Sequence, residues 1–456
     1  MKIAITMYPI NSLGGLVNRV ENMSRGFMET GHSVDLYFLY WKESVTAPKH
    51  SDSDLLKKQG WAKGVFCAYH QCMGWNLPAN KRLAYKGESN KRAQDILSKY
   101  DIVIWITPVP TKQKDNQGNS DWVKLYDACK CSIATITDGN LFNNPHIYAI
   151  ASKLKGLACV HTCAYNLSAH LPVPRAMIFS PQNMNRVWDD PEPYRERDRS
   201  FFSLQTFKKW KHVEDIVRAV PYMSDKTKKI LAGGGLEQAY MTSPDKTKPE
   251  YYARRKEDPD LSLTIEEKHI HIWDRALKYK MEWLGWIDVH LRDSILKSTR
   301  LLVDPSWSVN YAKHGDHFNR VIIEGIMQGV IPVARNLGVS TNLKGEGSVF
   351  KPDIHYKMIP YDATPKRFAE AVEDFLSMSN NDADRIRSNN LKLLPNWDRK
   401  NVAQQFIDLS KGKPTGFFKK LEVGKRDSMM EIESRKVLKS FFGINTKIDT
   451  IFSFIK

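Results

Sequence analysis

Two carboxylates, Asp316 and Glu324, lie eight positions apart and bracket a polar loop and the start of a predicted helix. The helix ends at Gly329, and a short apolar strand containing Pro332 and Val333 follows. A helix N-terminus presents unpaired backbone N–H groups and the positive end of the helix dipole, so it suits an anionic ligand. A carboxylate just inside the helix can accept hydrogen bonds from sugar hydroxyls. The segment therefore predicts a site for a ligand that carries both a diphosphate and a sugar.

Residues at the ends of other predicted strands could complete such a site. Lys209 and Lys211 lie between a strand and a helix, where ammonium groups can neutralise a diphosphate. Gly14 and Gly15 follow the first strand, where backbone amides can approach phosphate oxygens. Asp138 ends a further strand and is a candidate general base, although a simple Asp-Gly turn explains it equally well.

His161 also follows a predicted strand, from which it could line a cleft. A buried structural histidine is the preferred interpretation of this residue.

A basic and aromatic stretch in the first part of the chain could contact nucleic acid. Lysine and arginine neutralise phosphates, and aromatic rings can stack on a base or replace one flipped out of a duplex. The net charge of +17 and the sequence pI near 9.4 favour a polyanionic partner, either nucleic acid or an anionic membrane surface. A solvated loop explains any single cluster of basic residues. The basic clusters and the net charge taken together favour contact with DNA. The residues concerned are Lys57, Lys58, Trp61, Lys63, Trp75, Lys81 and Arg82.

The size and composition are those of a soluble globular protein. A chain of 456 residues, 42% hydrophobic and 26% charged, is expected to form two or three domains. No apolar run is long enough to span a bilayer, and residues 1–7 are expected to form a strand instead of a signal peptide. The six cysteines lack the close-paired spacing of a structural zinc site. We therefore expect reduced cysteines in a cytoplasmic monomer.

Predicted strands and helices alternate twice along the chain, over residues 1–178 and again over residues 200–395. This alternation is typical of doubly wound parallel sheets, which bind ligands at the carboxyl ends of their strands. Prolines and charges in residues 179–199 predict a linker between the halves. The predicted fold class is α/β, with two Rossmann-like domains facing a central cleft. The predicted strands are 2–7, 34–39, 101–107, 132–137, 156–161, 201–206, 229–232, 282–287 and 300–304.

Short motifs follow one another in a set order over roughly the first 410 residues. They are the glycines 14–15, a lysine-led helix at 211–219, the glycine cluster 233–235, Leu284-Gly285, Pro305-Ser306, and the segment 316–333. This ordered set resembles the GT-B fold of retaining, nucleotide-sugar-dependent glycosyltransferases of the glycogen-synthase-like and sucrose-synthase-like group. The resemblance implies an acceptor domain at 1–178, a nucleotide-sugar domain at 200–395, and helices at 396–456 that cross back to the first domain.

Within that group the chain is similar to the bacteriophage DNA α-glucosyltransferases, which modify hydroxymethylcytosine in phage DNA. The similarity lies in residues 1–7 with 31–34, and in 179–184, 210–211 and 235–239. It implies transfer of glucose, arabinose or a similar sugar from a UDP-sugar to a 5-hydroxymethylcytosine-type base of double-stranded DNA in the host cytoplasm. The resemblance requires no cofactor beyond the UDP-sugar donor, and a divalent metal is compatible with it.

The resemblance also assigns roles to the candidate residues. Asp316 would hold the hydroxyls of the donor sugar and Asp138 would orient or deprotonate the acceptor, so these two form the catalytic set. Glu324 would bind the nucleotide ribose. The other donor-binding residues would be Gly14, Gly15, Lys209, Lys211, Gly234, Asn319 and Arg320.

The chain departs from the group at the predicted donor site. Thr206 stands where the group has an arginine that contacts the diphosphate, so Lys208 or Lys209 is expected to substitute. Asp316 replaces the usual glutamate, and Asn319 and Arg320 replace a glycine-rich pair. A shorter acid with bulkier neighbours could suit a different sugar.

Two other functions fit parts of the sequence. The first is a bacterial transferase of the same fold that builds a surface glycan at the membrane face. The tail from Lys411 carries 11 lysines and arginines against 5 acids, so it could contact an anionic membrane. Packing on the first domain is the preferred interpretation of this tail, and contact with DNA is a third. The second alternative function is a non-catalytic DNA-binding protein that has kept the fold.

Overall fold

The structure is a computed structural model, and it describes the chain in segments. The described residues are 1–7, 15–40, 81–84, 88–106, 108, 121–136, 150–161, 164–165, 168–205, 211–233, 278–284, 287, 289–306, 320–335, 349–360 and 363–423.

Strands and helices alternate through these segments. The strands are β1 (Lys2–Met7), β2 (Ser33–Tyr40), β3 (Lys81–Ala84), β4 (Ile102–Trp105), β5 (Ser132–Ile136), β6 (Gly156–Cys159), β7 (Pro174–Met177), β8 (Asp198–Leu204), β9 (Lys228–Ala232), β10 (Glu282–Trp283), β11 (Thr299–Asp304), β12 (Ile331–Ala334), β13 (Lys357–Met358) and β14 (Glu422–Val423). The helices are α1 (Gly15–Glu29), α2 (Glu88–Leu97), α3 (Lys124–Asp127), α4 (Val213–Ala219), α5 (Val289–Ser298), α6 (Arg320–Met327), α7 (Pro365–Leu376), α8 (Asn380–Leu393) and α9 (Arg399–Ser410).

The first sheet has eight strands in the order β14-β7-β6-β5-β4-β1-β2-β3, and only the β14–β7 pairing is antiparallel. Its central strands are apolar runs buried along almost their whole length, as expected for a parallel sheet covered on both faces. The connection order reverses at β1, which lies between β2 and β4. A ligand crevice is expected at the carboxyl end of such a switch point.

The second sheet has six parallel strands in the order β10-β9-β8-β11-β12-β13. Its order reverses at β8, which lies between β9 and β11, so its own switch point is at the carboxyl ends of β8 and β11. Together the two sheets confirm the predicted α/β class with parallel strands.

The last described helix, α9, packs against α1 of the first sheet. Phe27 and Phe406 meet edge to face with ring centroids 6.1 Å apart, and Arg399 is ion-paired with Glu29. After α9 the chain adds β14 to the edge strand β7, where Arg175 Nη2 donates to Glu422 Oε2 at 2.6 Å. The chain after the second sheet therefore returns to cover the first one.

Elements with strong local signals lie where the sequence predicts them. Strand β1 has the predicted bounds. The sequence also predicts Thr364 as an N-cap with Pro365 at the first helical position, and Thr364 caps α7 by accepting a hydrogen bond from the backbone N–H of Arg367. Gly329 ends the turn after α6 with φ +68°, a left-handed conformation that glycine adopts without strain.

Three elements differ from the predictions. Strand β7 begins at Pro174, in a proline-rich stretch where no strand was predicted, because proline is tolerated as the first residue of a strand. Strand β8 begins at Asp198, inside the predicted linker. Strand β10 ends at Trp283, before Leu284 of the predicted 282–287, and residues 285 and 286 lie outside the described part of the chain.

Candidate functional site

Three basic side chains from both sheets come together at the carboxyl ends of the strands. Arg19 lies on α1 after β1, His161 follows β6, and Lys211 precedes α4 of the second sheet. Burial, together with the charges of Arg19 and Lys211, lowers the pKa of His161 to about 4. His161 therefore lies within electrostatic range of one cation from each sheet. The cationic cluster is defined as Arg19, His161 and Lys211.

Arg19 is the most deeply buried member of the cationic cluster. The residue is 3% exposed, and burial lowers the pKa of its guanidinium to about 9. Its Nε and Nη1 atoms are buried without a hydrogen-bond partner among the described residues. A buried guanidinium without an acceptor is costly, so the cluster is suited to an anion that supplies the missing oxygens.

Arg19 is not among the predicted site residues, although its position in the sequence pattern is unusual. The residue lies four positions before Met23, so it falls on the apolar face of α1, where a charged side chain is out of place. A charge on a core-facing stripe needs either a partner or a ligand. His161 was interpreted as a structural histidine because the sequence could not show which cations surround it.

A left-handed residue and an ion pair fix the backbone around Lys211. His212 has φ 48° and precedes α4, and its Nδ1 is 3.5 Å from Asp215 Oδ2. The same oxygen accepts a hydrogen bond from Arg335 Nη1, just after β12, at 2.6 Å. The start of α4, next to Lys211, is thereby tied to the end of β12 in the second sheet.

The exits of β8 and β9 approach so closely that one position accepts only glycine. Gly233 has φ +105°, and a Cβ built on it would lie 1.9 Å from the carbonyl oxygen of Gln205. Trp283 Nε1 donates to the Gly233 carbonyl at 3.2 Å. This contact fixes the direction in which the chain leaves β8 toward Lys211.

Glu324 lies on α6 in a second group of charges, close to the linker between the sheets. Its side chain is 5% exposed, and its Oε1 is 2.8 Å from Arg292 Nη1 and 3.4 Å from Arg320 Nε. Arg320 Nη2 also donates to Gln182 Oε1 at 2.9 Å. Burial lowers the pKa of Arg320 to about 10, while the nearby Glu324 carboxylate acts in the opposite direction.

Further charges extend this group along α5. Arg292 Nε is 3.3 Å from Asp293 Oδ1. Arg186 Nη2 lies 2.5 Å from both Asp293 oxygens, and its Nε lies 3.0 Å from Oδ2. The arginine network is defined as Arg186, Arg292, Asp293, Arg320 and Glu324.

The structure describes some of the predicted site residues. Lys211 joins the cationic cluster, Arg320 and Glu324 form an ion pair, and Gly15 is the first residue of α1. Lys81 and Arg82 lie on β3, at the edge of the first sheet. The remaining predicted residues lie outside the described part of the chain: Gly14, Lys57, Lys58, Trp61, Lys63, Trp75, Asp138, Lys209, Gly234, Asp316 and Asn319.

No group of three or more His, Cys, Asp or Glu side chains in the described residues is placed to hold a metal ion. No helix in the described segments is both long and apolar enough to cross a bilayer.

No protein-family model matches the sequence, and no curated protein matches it either. Solved structures match over most of the chain. HepE of Anabaena, solved with UDP and glucose, is 12% identical with a TM-score of 0.56, over 90% of this chain and 100% of HepE. An alpha-glucosyltransferase, solved with UDP-glucose and DNA containing an abasic site, is 13% identical with a TM-score of 0.56, over 90% and 99% of the two chains. The lipopolysaccharide outer core galactosyltransferase WaaB is 14% identical with a TM-score of 0.53, over 90% and 99%. The chain therefore has the GT-B fold.

Proposed function

We propose that this protein is a glycosyltransferase that moves a sugar from a UDP-sugar to the hydroxyl of a 5-hydroxymethylcytosine-type base in double-stranded DNA. The observation that carries the proposal is the cationic cluster between the two sheets, with the unsatisfied guanidinium atoms of Arg19 at its centre. Neighbours of the same fold were solved with UDP or UDP-glucose. A nucleoside diphosphate supplies negative charge and acceptor oxygens for the Nε and Nη1 atoms of Arg19, which have no hydrogen-bond partner among the described residues.

The reaction divides among the residues as follows. The bond between the sugar C1 and the β-phosphate oxygen breaks, and UDP leaves with the bonding electron pair. C1 forms a bond to the acceptor hydroxyl oxygen, whose proton passes to a base, for which Asp138 is the candidate. Arg19 and Lys211 stabilise the charge that develops on the leaving diphosphate. Glu324 accepts hydrogen bonds from the ribose hydroxyls, and Asp316 from those of the sugar.

DNA is the preferred acceptor because of the charge of the chain and one of its neighbours. The net charge is +17, and Lys81 and Arg82 lie on the edge strand β3. The neighbouring alpha-glucosyltransferase was solved with DNA containing an abasic site, an A:G mismatch or an HMU base. A base inside a duplex must be flipped out before its hydroxyl can reach a catalytic site, and such lesions make flipping easier.

A surface glycan is the second candidate acceptor. The likeness to WaaB, a lipopolysaccharide galactosyltransferase, favours it. The same donor chemistry would then act on a sugar hydroxyl, so the two candidates differ only in the acceptor.

Binding of UDP tests the donor part of the proposal. We expect calorimetric titration to show UDP binding, and Lys211→Met to weaken it by roughly 10- to 100-fold, since a charge-assisted hydrogen bond is lost. The matched control is Lys366→Met on α7. The Lys366 side chain is 70% exposed and pairs with Glu370 one turn further along the same helix. Absence of UDP binding at millimolar concentration, or equal losses in both variants, would contradict the proposal.

A further inference from the structure

Arg292 is a charged residue next to the proposed donor site that the reaction described so far does not use. It lies on α5, with its side chain 11% exposed, and its Nη1 forms an ion pair with Glu324 Oε1 at 2.8 Å. Glu324 is the residue proposed to bind the nucleotide ribose. Arg292 therefore touches a ligand-binding group while facing it from a different helix.

Both guanidinium contacts of Glu324 fall on the same oxygen. Arg292 Nη1 and Arg320 Nε make their shortest contacts with the carboxylate at Oε1, at 2.8 Å and 3.4 Å, and no described residue donates a hydrogen bond to Oε2. A carboxylate held at one oxygen by two cations has a fixed orientation, and its other oxygen keeps its lone pairs for a hydroxyl donor.

Arg292 is itself held in place by Asp293 and Arg186. Its Nε is 3.3 Å from Asp293 Oδ1, and Arg186 holds both oxygens of that carboxylate at 2.5 Å. The carbonyl of Arg186 accepts a hydrogen bond from Gln328 Nε2 at 2.7 Å. The arginine network thus connects α5, the linker and the end of α6, and it limits the positions that the Arg292 guanidinium can take.

One donor of Arg292 has nothing to bind. Its Nη2 is buried and has no hydrogen-bond partner among the described residues. An N–H group buried without an acceptor is unfavourable, so a ligand oxygen placed beside Glu324 would be stabilised by this atom as well.

We propose that Arg292 is a positioning residue that makes the site selective for a nucleotide with ribose hydroxyls. It holds Glu324 by Oε1 so that Oε2 accepts from the ribose, and its Nη2 donates to a ribose oxygen. This inference rests on the proposed function. A site built to pair with hydroxyls rejects an analogue that lacks them, because its polar groups are then left unpaired.

The test compares the dissociation constants of UDP and 2′,3′-dideoxy-UDP by calorimetry. We expect the unaltered protein to prefer UDP by about tenfold or more. In Arg292→Met we expect UDP binding to weaken by about tenfold and the preference to fall within about twofold. Arg292→Lys should restore part of the preference, because the ammonium still reaches Oε1. The control is Arg385→Met on α8, where the Arg385 side chain is 62% exposed.

A second comparison separates positioning from a general loss of folding. In a Glu324→Gln background, Arg292→Met should change the preference little, because residues that act as a unit are not additive. Additive losses would show that Arg292 acts independently of Glu324 and would overturn the inference.

The failures of the two proposals are distinguishable. An unaltered protein that does not bind UDP would overturn the proposed function and this inference with it. UDP binding together with an unchanged preference in Arg292→Met would overturn this inference alone.

Discussion

Arg19 occupies a position that costs the free protein stability. Its guanidinium is buried in the cationic cluster with two nitrogen atoms unpaired, and burial lowers its pKa to about 9. Functional sites commonly retain such unfavourable groups because a ligand satisfies them.

Replacing Arg19 with methionine should separate stability from function. We expect Arg19→Met to raise the free energy of unfolding by about 1–3 kcal/mol, because an unpaired buried charge is removed and the apolar stem is kept. UDP affinity should fall by about tenfold or more, because the guanidinium no longer pairs with the diphosphate. Urea denaturation and calorimetry measure the two effects. A destabilised variant with unchanged UDP affinity would show that Arg19 has a structural role.

His161 should link UDP binding to pH. Burial and the two neighbouring cations hold the pKa of His161 near 4, so the ring is neutral at pH 7. A bound diphosphate offsets the repulsion from those cations and raises this pKa, so the complex takes up protons that the free protein does not. His161 should therefore contribute an increase in UDP affinity as the pH falls from 7 toward 5.

Protonation of the UDP phosphate below pH 7 removes negative charge and acts in the opposite direction. Comparison with a His161 variant separates the two contributions. We expect lowering the pH from 7 to 5 to favour UDP binding more in the unaltered protein than in His161→Gln. Calorimetry at several pH values measures the slope of log affinity against pH in both proteins. Equal slopes in the two proteins would show that His161 does not lie beside the diphosphate.

At the scale of elements, the contact between α1 and α9 depends on a glycine. A Cβ built on Gly26 would lie 2.2 Å from the carbonyl oxygen of Arg399. The helix that carries Arg19 is thus fixed by a backbone contact with the last described helix.

Gly26→Ala should push these helices apart. We expect the free energy of unfolding to fall by about 1–3 kcal/mol, as in other overpacked contacts. Arg25→Ala is the control at the preceding position, where the half-exposed side chain loses an i,i+4 pair with Glu21, so a change within about 0.5 kcal/mol is expected. Urea denaturation of both variants checks this, and equal losses would contradict the close contact.

Local signals made many of the elements predictable. An apolar run predicts β1, and Thr364 as a cap with Pro365 at the first helical position predicts the start of α7. Strand β14 could not be predicted in the same way, because it is two residues long and its ion pair joins Glu422 to Arg175, 247 positions away. Pairing over such a distance leaves no local pattern in the sequence.

The candidate site also contains some residues with a local signal in the sequence and others without one. The sequence proposes Lys211, Arg320 and Glu324 as site residues because each lies at the start of a helix or inside one, next to a strand. Arg292 is not among them, since its partner Glu324 lies on another helix beyond β11. Spatial partners of this kind emerge only when the sheet brings the helices together.

At the scale of the whole molecule, the net charge of +17 predicts how DNA binding depends on salt. Each neutralised phosphate releases counterions, so we expect a log–log slope of affinity against salt steeper than about −4. Fluorescence anisotropy with a labelled duplex measures it. A slope near zero would contradict DNA as the acceptor.

Deleting residues 424–456 tests the tail. The deletion removes 7 lysines and arginines and 4 acids, and it leaves β14 in place. Because packing on the first domain is the preferred interpretation, we expect the salt slope to change by less than about one unit. A slope reduced by several units would show that the tail contacts DNA.

The most direct test of the account is a transfer reaction. Purified protein is mixed with a panel of UDP-sugars and with duplex DNA that contains either cytosine or 5-hydroxymethylcytosine, and the DNA nucleosides are analysed by mass. The account predicts a gain of one sugar only on the hydroxymethylated base. Hydrolysis of a UDP-sugar without any gain on DNA would contradict DNA as the acceptor and favour a glycan.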